Sequence, residues 1–529
     1  MFSLHGQPGV NKLTSSFVII TILLFAPLTT GCIVHTPGPT ILVPTRSTTP
    51  QDASPAVKSL GQDLTELFTH PSMAHTIWAV QVQSIDRMEK LYRLNDLTLL
   101  MPASSLKILT LAVAVDQLGW NFRYETNVLA TGPIEQGVLQ GDLIIRGTGD
   151  PTINAFDNNE DVFKKWVHKL NALGIHHIEG RIIGDDRAWS NKGTDTWNGL
   201  NAGWLLDDLP FGFAAPSGAL QQHNNVADLT LKPGTTLGLA ANVYLEQETS
   251  GLELVNRVIT SSRTDKLILN FSRLPGDSRL EVTGSIPISS SPVYRTVSVD
   301  NPTTFFVNTL KHSLMFHGIT VAGKALDIDD LPTEDRKRLQ HQTQYELLVY
   351  QSSPLSKIAT KMMKSSQNLF AETLLKTLEA KIGHESTTTG QQVIRNVMKT
   401  WNIDNSQLVI TDGSGLSRYN LVTANALVRV LVQMYKNPQH MMLFEYTLPI
   451  AGLDGTLTSR MIGTEAEGNA RGKTGTMTGV RTLAGYVKTR DNEQIAFAIL
   501  ANNFYLPSES IVETIDKAVE RIAEFSRDE

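Results

Sequence analysis

The chain has 529 residues, 41% hydrophobic and 19% charged, with a formal net charge of −6. This is an ordinary globular composition with ample material for a core, and the length suggests about three domains. The mild acidity offers no basic patch for nucleic acid. One cysteine excludes an intrachain disulfide and a multi-cysteine metal site.

In chain order, a polar start that includes Lys12 leads into a short apolar run from Phe17 to Leu28, then Thr29-Thr30-Gly31-Cys32. A basic start, a short apolar stretch and small residues have the layout of a secretory signal, and the run is too short to span a bilayer comfortably. The ending resembles a bacterial lipoprotein signal, although Thr29 stands where an aliphatic residue is usual. Residues 1–31 are therefore read as a signal peptide and Cys32 as a lipidation site, which implies a membrane anchor. The alternative is a plain cleaved signal with an incidental cysteine. From 32 to 55 the chain carries Pro37, Pro39, Pro44, Pro50 and Pro55 among polar residues, the texture of an extended tether.

The folded part is predicted to begin with a helix near Val57 to Thr69. A hairpin of Ile77–Val82 and Lys90–Asn95 follows. The run after Pro102 is apolar, lacks glycine and stops near Gly119, which predicts a buried helix. From 125 to 340 short β-like stretches separated by glycine turns dominate, with helices at about Glu160 to Leu173 and Asn301 to His317. Residues 185 to 235 read as loop-rich. Gly147-Thr148-Gly149-Asp150-Pro151-Thr152 lacks a Gly-Lys-Ser/Thr ending and reads as a turn, not a phosphate loop. From Glu346 helical texture resumes. Helices are predicted at Pro354–Met363, Leu369–Ile382, Gly390–Trp401 and Thr423–Tyr435. A hairpin (Leu483–Lys488 and Ile495–Leu500) and a closing helix at Ser508–Phe525 follow.

Within the buried helix, Ser104-Ser105-Leu106-Lys107 spells Ser-x-x-Lys. Positions i and i+3 share a helix face, so Ser104 and Lys107 can touch. A desolvated lysine amine can take the proton of a serine hydroxyl, because burial lowers its pKa. Alone, the pattern also fits a capping serine and a solvated lysine. Ser105 lacks the i+3 lysine, so Ser104 is the expected nucleophile. Two more motifs follow in order: Ser366-Gln367-Asn368 in a loop between two helices, and Lys473-Thr474-Gly475 just before the last hairpin. The thirteen histidines are scattered, without His-Glu-x-x-His or paired ligand spacing, so neither metal nor cofactor is expected.

Ser-x-x-Lys, Ser-x-Asn and Lys-Thr-Gly in this order resemble the serine acyl-transferase set of penicillin-binding proteins and serine β-lactamases. The resemblance implies that Ser104 forms an acyl-enzyme with Lys107 as its base. Ser366 relays a proton to the leaving amine, and Asn368 holds substrate and Lys107. Lys473 meets a substrate carboxylate, Thr474 adds a hydroxyl, and Gly475 lets the strand approach the ligand. The backbone N–H groups of Ser104 and Thr476 form the oxyanion hole.

The wide spacing between Ser104 and Ser366 and the stretch Asp412-Gly413-Ser414-Gly415-Leu416-Ser417-Arg418 make the resemblance more specific. So do Gly149-Asp150-Pro151-Thr152 and Gly452-Leu453-Asp454-Gly455-Thr456-Leu457. From about Val57 onward the chain resembles the class C low-molecular-mass penicillin-binding proteins, the S13 D-Ala-D-Ala carboxypeptidases/endopeptidases. This implies an α/β (α+β) transpeptidase domain, a sheet flanked by helices, from residues 56–124 and 341–529. The β-rich insertion at 125–340 is read as two subdomains. The implied substrates are peptidoglycan stem peptides, cut at D-Ala-D-Ala ends and cross-links. Penicillins would acylate the enzyme, and its place would be the periplasm or cell envelope. Gln367 stands where Asp is common, and Asp207 or Asp208 could hold a diamino-acid side chain. The alternatives are a serine β-lactamase and a catalytically idle wall-binding lipoprotein.

Overall fold

The computed structural model describes residues 54–155, 161–189, 201–383 and 388–528. The signal segment, Cys32 and the tether up to residue 53 lie outside them. Both ends of the described chain build one sheet of five antiparallel strands. Their order is Lys90–Leu94, Ile77–Ser84, Gln494–Asn502, Val480–Lys488, Arg471–Met477. The middle strand is buried along its whole length. Ala496, Ala498 and Leu500 face one core, and Ile495, Phe497, Ile499 and Ala501 face the other. Successive side chains alternate between faces, so a strand covered on both sides reads as an unbroken apolar run.

Helices Pro55–Thr69 and Ser508–Ala523 cover one face. Ser54 caps the first of them through the N–H of Val57, and Pro55 opens it, where a missing N–H costs no hydrogen bond. The other face holds helix Lys107–Leu118, buried at every position from Lys107 to Val115. A helix that is apolar all round belongs in a core. Helices Leu355–Lys364, Asn368–Ile382, Gly390–Thr400 and Ala424–Lys436 surround it.

Between Tyr124 and Ser352 the strands form separate sheets. A mixed sheet runs Ala325–Asp327, Ile182–Asp185, Leu143–Arg146, Glu125–Ala130, Tyr345–Gln351. Helices Val162–Ala172 and Pro302–Phe316 pack on it. Two three-stranded sheets enclose a further core around Leu229, Val258, Leu280 and Val297.

Two stretches differ from the sequence reading. Val226–Lys232 is a strand inside the stretch read as loop, central in its sheet between Asn242–Leu245 and Val293–Ser298. Tyr345–Gln351, read as the start of helical texture, is a strand paired with Glu125–Ala130. Its partner lies more than two hundred positions upstream, so the pairing leaves no mark in the local pattern. The helices Thr333–His341 and Met441–Thr447 also escape the sequence reading. The first is almost wholly polar and buries only Leu339.

Candidate active site

The turn that carries Ser104, the expected nucleophile, is a short 3-10 segment, Ala103–Leu106, that runs directly into helix Lys107–Leu118. Ala103 sits at φ 47°, a left-handed conformation unfavourable for a residue with a Cβ. Gly415, at φ 85°, presses against it: a Cβ there would lie 1.9 Å from the Ala103 carbonyl oxygen. Ser105 points away from the cleft. It is fully buried, with its hydroxyl between the Lys473 carbonyl (3.2 Å) and Thr482 Oγ1 (2.6 Å).

Lys107 is completely buried. Its Nζ lies 2.8 Å from Ser104 Oγ, 2.7 Å from Asn368 Oδ1 and 2.8 Å from the Ser414 carbonyl oxygen. The last two atoms can only accept. A neutral amine that donates its two N–H bonds to them keeps its lone pair for the Ser104 O–H. Burial lowers the Lys107 pKa to about 7, against the opposing pull of the nearby Asp412 and Glu372 carboxylates.

Ser366 carries φ 58°, so the strained backbone of this loop aims its hydroxyl at Lys473, whose Nζ lies 2.9 Å away. Lys473 is fully buried. Burial first, then the charge of Lys107, holds its pKa well below the usual lysine range. Among the described residues its Nζ meets Ser366, on the cleft wall, and the Thr474 carbonyl, 2.8 Å away. The cleft wall there consists of Thr474 and Thr456, whose hydroxyls meet at 2.7 Å. Asn368 uses Oδ1 for Lys107 and one N–H for the Phe213 carbonyl (2.8 Å).

A packing need keeps position 475 free of a side chain. A Cβ at this position would come 2.1 Å from Thr482 Oγ1 and 2.6 Å from the Pro102 carbonyl oxygen. The missing side chain lets the edge strand lie against the nucleophile turn.

These elements bound a cleft of about 690 Å³. Ser104, Ser366, Asn368, Thr474 and Thr476 line it, together with Asp207, Asp208 and Phe213 from the insertion and Arg418. Burial and the neighbouring Asp207 charge raise the Asp208 pKa, while Arg418 opposes the shift. The insertion also reaches beneath the site. Asn201 Nδ2 donates to Glu372 (2.9 Å), and Trp204 Nε1 donates to Asp412 (2.9 Å). The sequence reading gave no site role to Glu372, Thr456, Asn201, Trp204 or Phe213. Only Glu372 carried a local signal, an acid among Leu369, Phe370, Ala371 and Leu374, the same kind of mark that singled out Lys107.

Fold and site together define an active-serine enzyme of the penicillin-binding-protein type. The D-Ala-D-Ala carboxypeptidase 3 (S13) family model matches residues 60–525. A D-alanyl-D-alanine carboxypeptidase of Actinomadura sp. (strain R39) is 31% identical over 489 residues, 90% of this chain and 86% of that one. D-alanyl-D-alanine carboxypeptidase DacB of Haemophilus influenzae is 28% identical over 78% of this chain and 82% of its own. The crystal structure of penicillin binding protein 4 (dacB) from Haemophilus influenzae superposes with a TM-score of 0.75 at 24% identity. The superposition covers 88% of this chain and 99% of that one, which shows a shared fold. The chain belongs to the D-Ala-D-Ala carboxypeptidase 3 (S13) family and is a serine DD-peptidase of peptidoglycan.

Proposed function

We propose that the reaction runs through an acyl-enzyme on Ser104. Ser104 Oγ attacks the carbonyl carbon of the penultimate D-Ala, and its proton passes to the neutral amine of Lys107. The N–H groups of Ser104 and Thr476 hold the developing oxyanion. Ser366, hydrogen-bonded to Lys473, passes a proton to the departing amine of the terminal D-Ala. Water then hydrolyses the ester and frees Ser104. The observation that carries this reading is the environment of Lys107: two pure acceptors and one serine hydroxyl around a buried amine. The substrate carboxylate rests on the hydroxyls of Thr474 and Ser366, with the charge of Lys473 behind them. Incubation with a stem pentapeptide ending in D-Ala-D-Ala should release one equivalent of D-Ala, and a D-Ala cross-linked dimer should be cut to monomers. Release of neither product would contradict the reading.

Asp207 and Asp208 fit a cationic amine on the third residue of the stem peptide. Asp208→Asn should raise KM for a diamino-acid peptide about tenfold, on the order of one lost charged hydrogen bond, with a smaller effect on a peptide lacking that amine. Equal changes for both peptides would remove this role.

The domain reading is that 56–124 and 341–529 form the catalytic domain and 125–340 an insertion of two subdomains. The separate apolar clusters around Val128 and Leu229 support it, and the pairing of Glu125–Ala130 with Tyr345–Gln351 carries the insertion's sheet past 340. We also propose export to the periplasm or cell envelope with anchoring through Cys32. Among the described residues no helix is long and apolar enough to cross a membrane. Cys32→Ser should move the protein from the detergent phase to the aqueous phase in Triton X-114 partitioning. Retention in the detergent phase would rule the anchor out.

A further inference from the structure

Glu372 lies in the first turns of helix Asn368–Ile382 and is only 2% exposed. Its carboxylate accepts the N–H of Gly413 at 3.1 Å from both oxygens, the N–H of Ser414 at 2.7 Å, and Asn201 Nδ2 at 2.9 Å. All of these are donors. An amide in the same place would turn its own NH2 toward some of them, so the site is built for an acceptor at both ends, a carboxylate. The turn it grips is also the turn that grips Lys107, because the Ser414 carbonyl accepts from Lys107 Nζ at 2.8 Å. The adjacent Gly413 carbonyl accepts from Thr110 Oγ1 on the nucleophile helix at 2.7 Å. Asp412 ties off the other side of the turn, accepting from Gly415 N (2.8 Å), Ser417 N (2.6 Å), Asn420 Nδ2 (2.7 Å) and Trp204 Nε1 (2.9 Å).

We propose that Glu372 is a positioning residue for acyl transfer: its grip on the Gly413–Ser414 turn and its negative charge set the Lys107 amine against Ser104, and Asn201 of the insertion holds Glu372 in place. The inference rests on Lys107 being the base. The insertion then has a part in the chemistry itself, since one of its side chains fixes a carboxylate two hydrogen bonds away from the reacting amine.

The charged groups that face Lys107 are Glu372 from its neighbouring helix, Asp412 from the turn and Lys473 from the edge strand. Asp207, Asp208 and Arg418 stand farther off around the cleft. Burial, then the neighbouring Asp412 charge, raise the Glu372 pKa to about 7 against the hydrogen bonds from Gly413 and Ser414, so its charge is present above that pH and fades below it. Removing this charge leaves Asp412 and Lys473 in place and favours the neutral amine. The acid limb of the acylation rate should therefore move to lower pH. Loss of the Asn201 donor makes Glu372 harder to ionise, which moves the limb the same way by less.

The test is the second-order rate of acylation by a fluorescent penicillin from pH 5 to 9. Glu372→Gln should lower the acid-side midpoint, by at most about one pH unit because Glu372 is only partly ionised there, and the plateau by about tenfold. Glu372→Asp, which keeps the charge, should restore the midpoint while the plateau stays low. Asn201→Ala should show a smaller downward shift. An unchanged midpoint in Glu372→Gln and Asn201→Ala, whatever happens to rate or melting temperature, makes Glu372 a purely structural residue and overturns the proposal. If Glu372→Gln does not fold, Asn201→Ala decides alone by the same criterion. Lys107→Arg, assayed alongside, separates the two readings. Wild-type acylation in that variant removes the base and this inference together, whereas a dead variant with unmoved Glu372 and Asn201 midpoints removes only this inference.

Discussion

Ser104→Ala is expected to abolish D-Ala release and penicillin acylation, with kcat falling about 10⁴-fold or more, as when a serine nucleophile is removed from other acyl-transfer enzymes. The protein should remain folded, because Ser104 is only partly buried and, among the described residues, its hydroxyl bonds to Lys107 alone. Binding should survive in part. Asn368, Thr474, Thr476 and Arg418 still line the cleft, so a stem peptide should bind to the variant without being cut. The effect of Ser105→Ala is of another kind. That hydroxyl bridges Lys473 and Thr482 inside the core, so its loss should lower the melting temperature and leave acylation measurable. Equal loss of acylation in both variants would mean that the nucleophile had been misassigned between the two serines.

Lys107→Arg is expected to cut acylation by 10²- to 10⁴-fold, roughly the contribution of a positioned general base. Arginine keeps the positive charge and can donate to Asn368 Oδ1 and the Ser414 carbonyl, but it does not give up its proton in a protein. The wild-type enzyme should show the matching pH dependence. The Lys107 pKa is lowered to about 7, so the amine is mostly charged at pH 5 and mostly neutral at pH 9. The acylation rate should rise about tenfold per pH unit on the acid side and level off above about 7. A flat profile from pH 5 to 9, or an active Lys107→Arg enzyme, would exclude lysine as the base.

Much of the candidate site was legible in the sequence because its signals are local. A lysine in an apolar helical run, three positions after a serine, fixes a face and a burial at once. Ser366 and Lys473 carried no such signal. They became legible only through order, and the structure joins them in a single 2.9 Å contact between residues far apart in the chain. The part that stayed hidden is tertiary. Asn201 and Trp204 sit in a stretch without periodicity, and their partners Glu372 and Asp412 lie far downstream. Val226–Lys232 and Tyr345–Gln351 owe their pairing to distant strands. A Cβ at Gly475 would meet Pro102 and Thr482 on the protein side, a packing need between distant segments that leaves no local mark. Lys473 is likewise more deeply placed than its motif shows. It was read as the group that meets a carboxylate, and the structure seats it behind Ser366 and Thr474.

The most direct test of the central claim is to acylate the soluble fragment with a labelled penicillin, digest it and locate the adduct by peptide mass and fragmentation. The acyl-enzyme reading predicts one adduct per chain, on Ser104, and none in Ser104→Ala. An adduct on Ser105, on Ser366 or on any other residue, or no adduct at all, would contradict it.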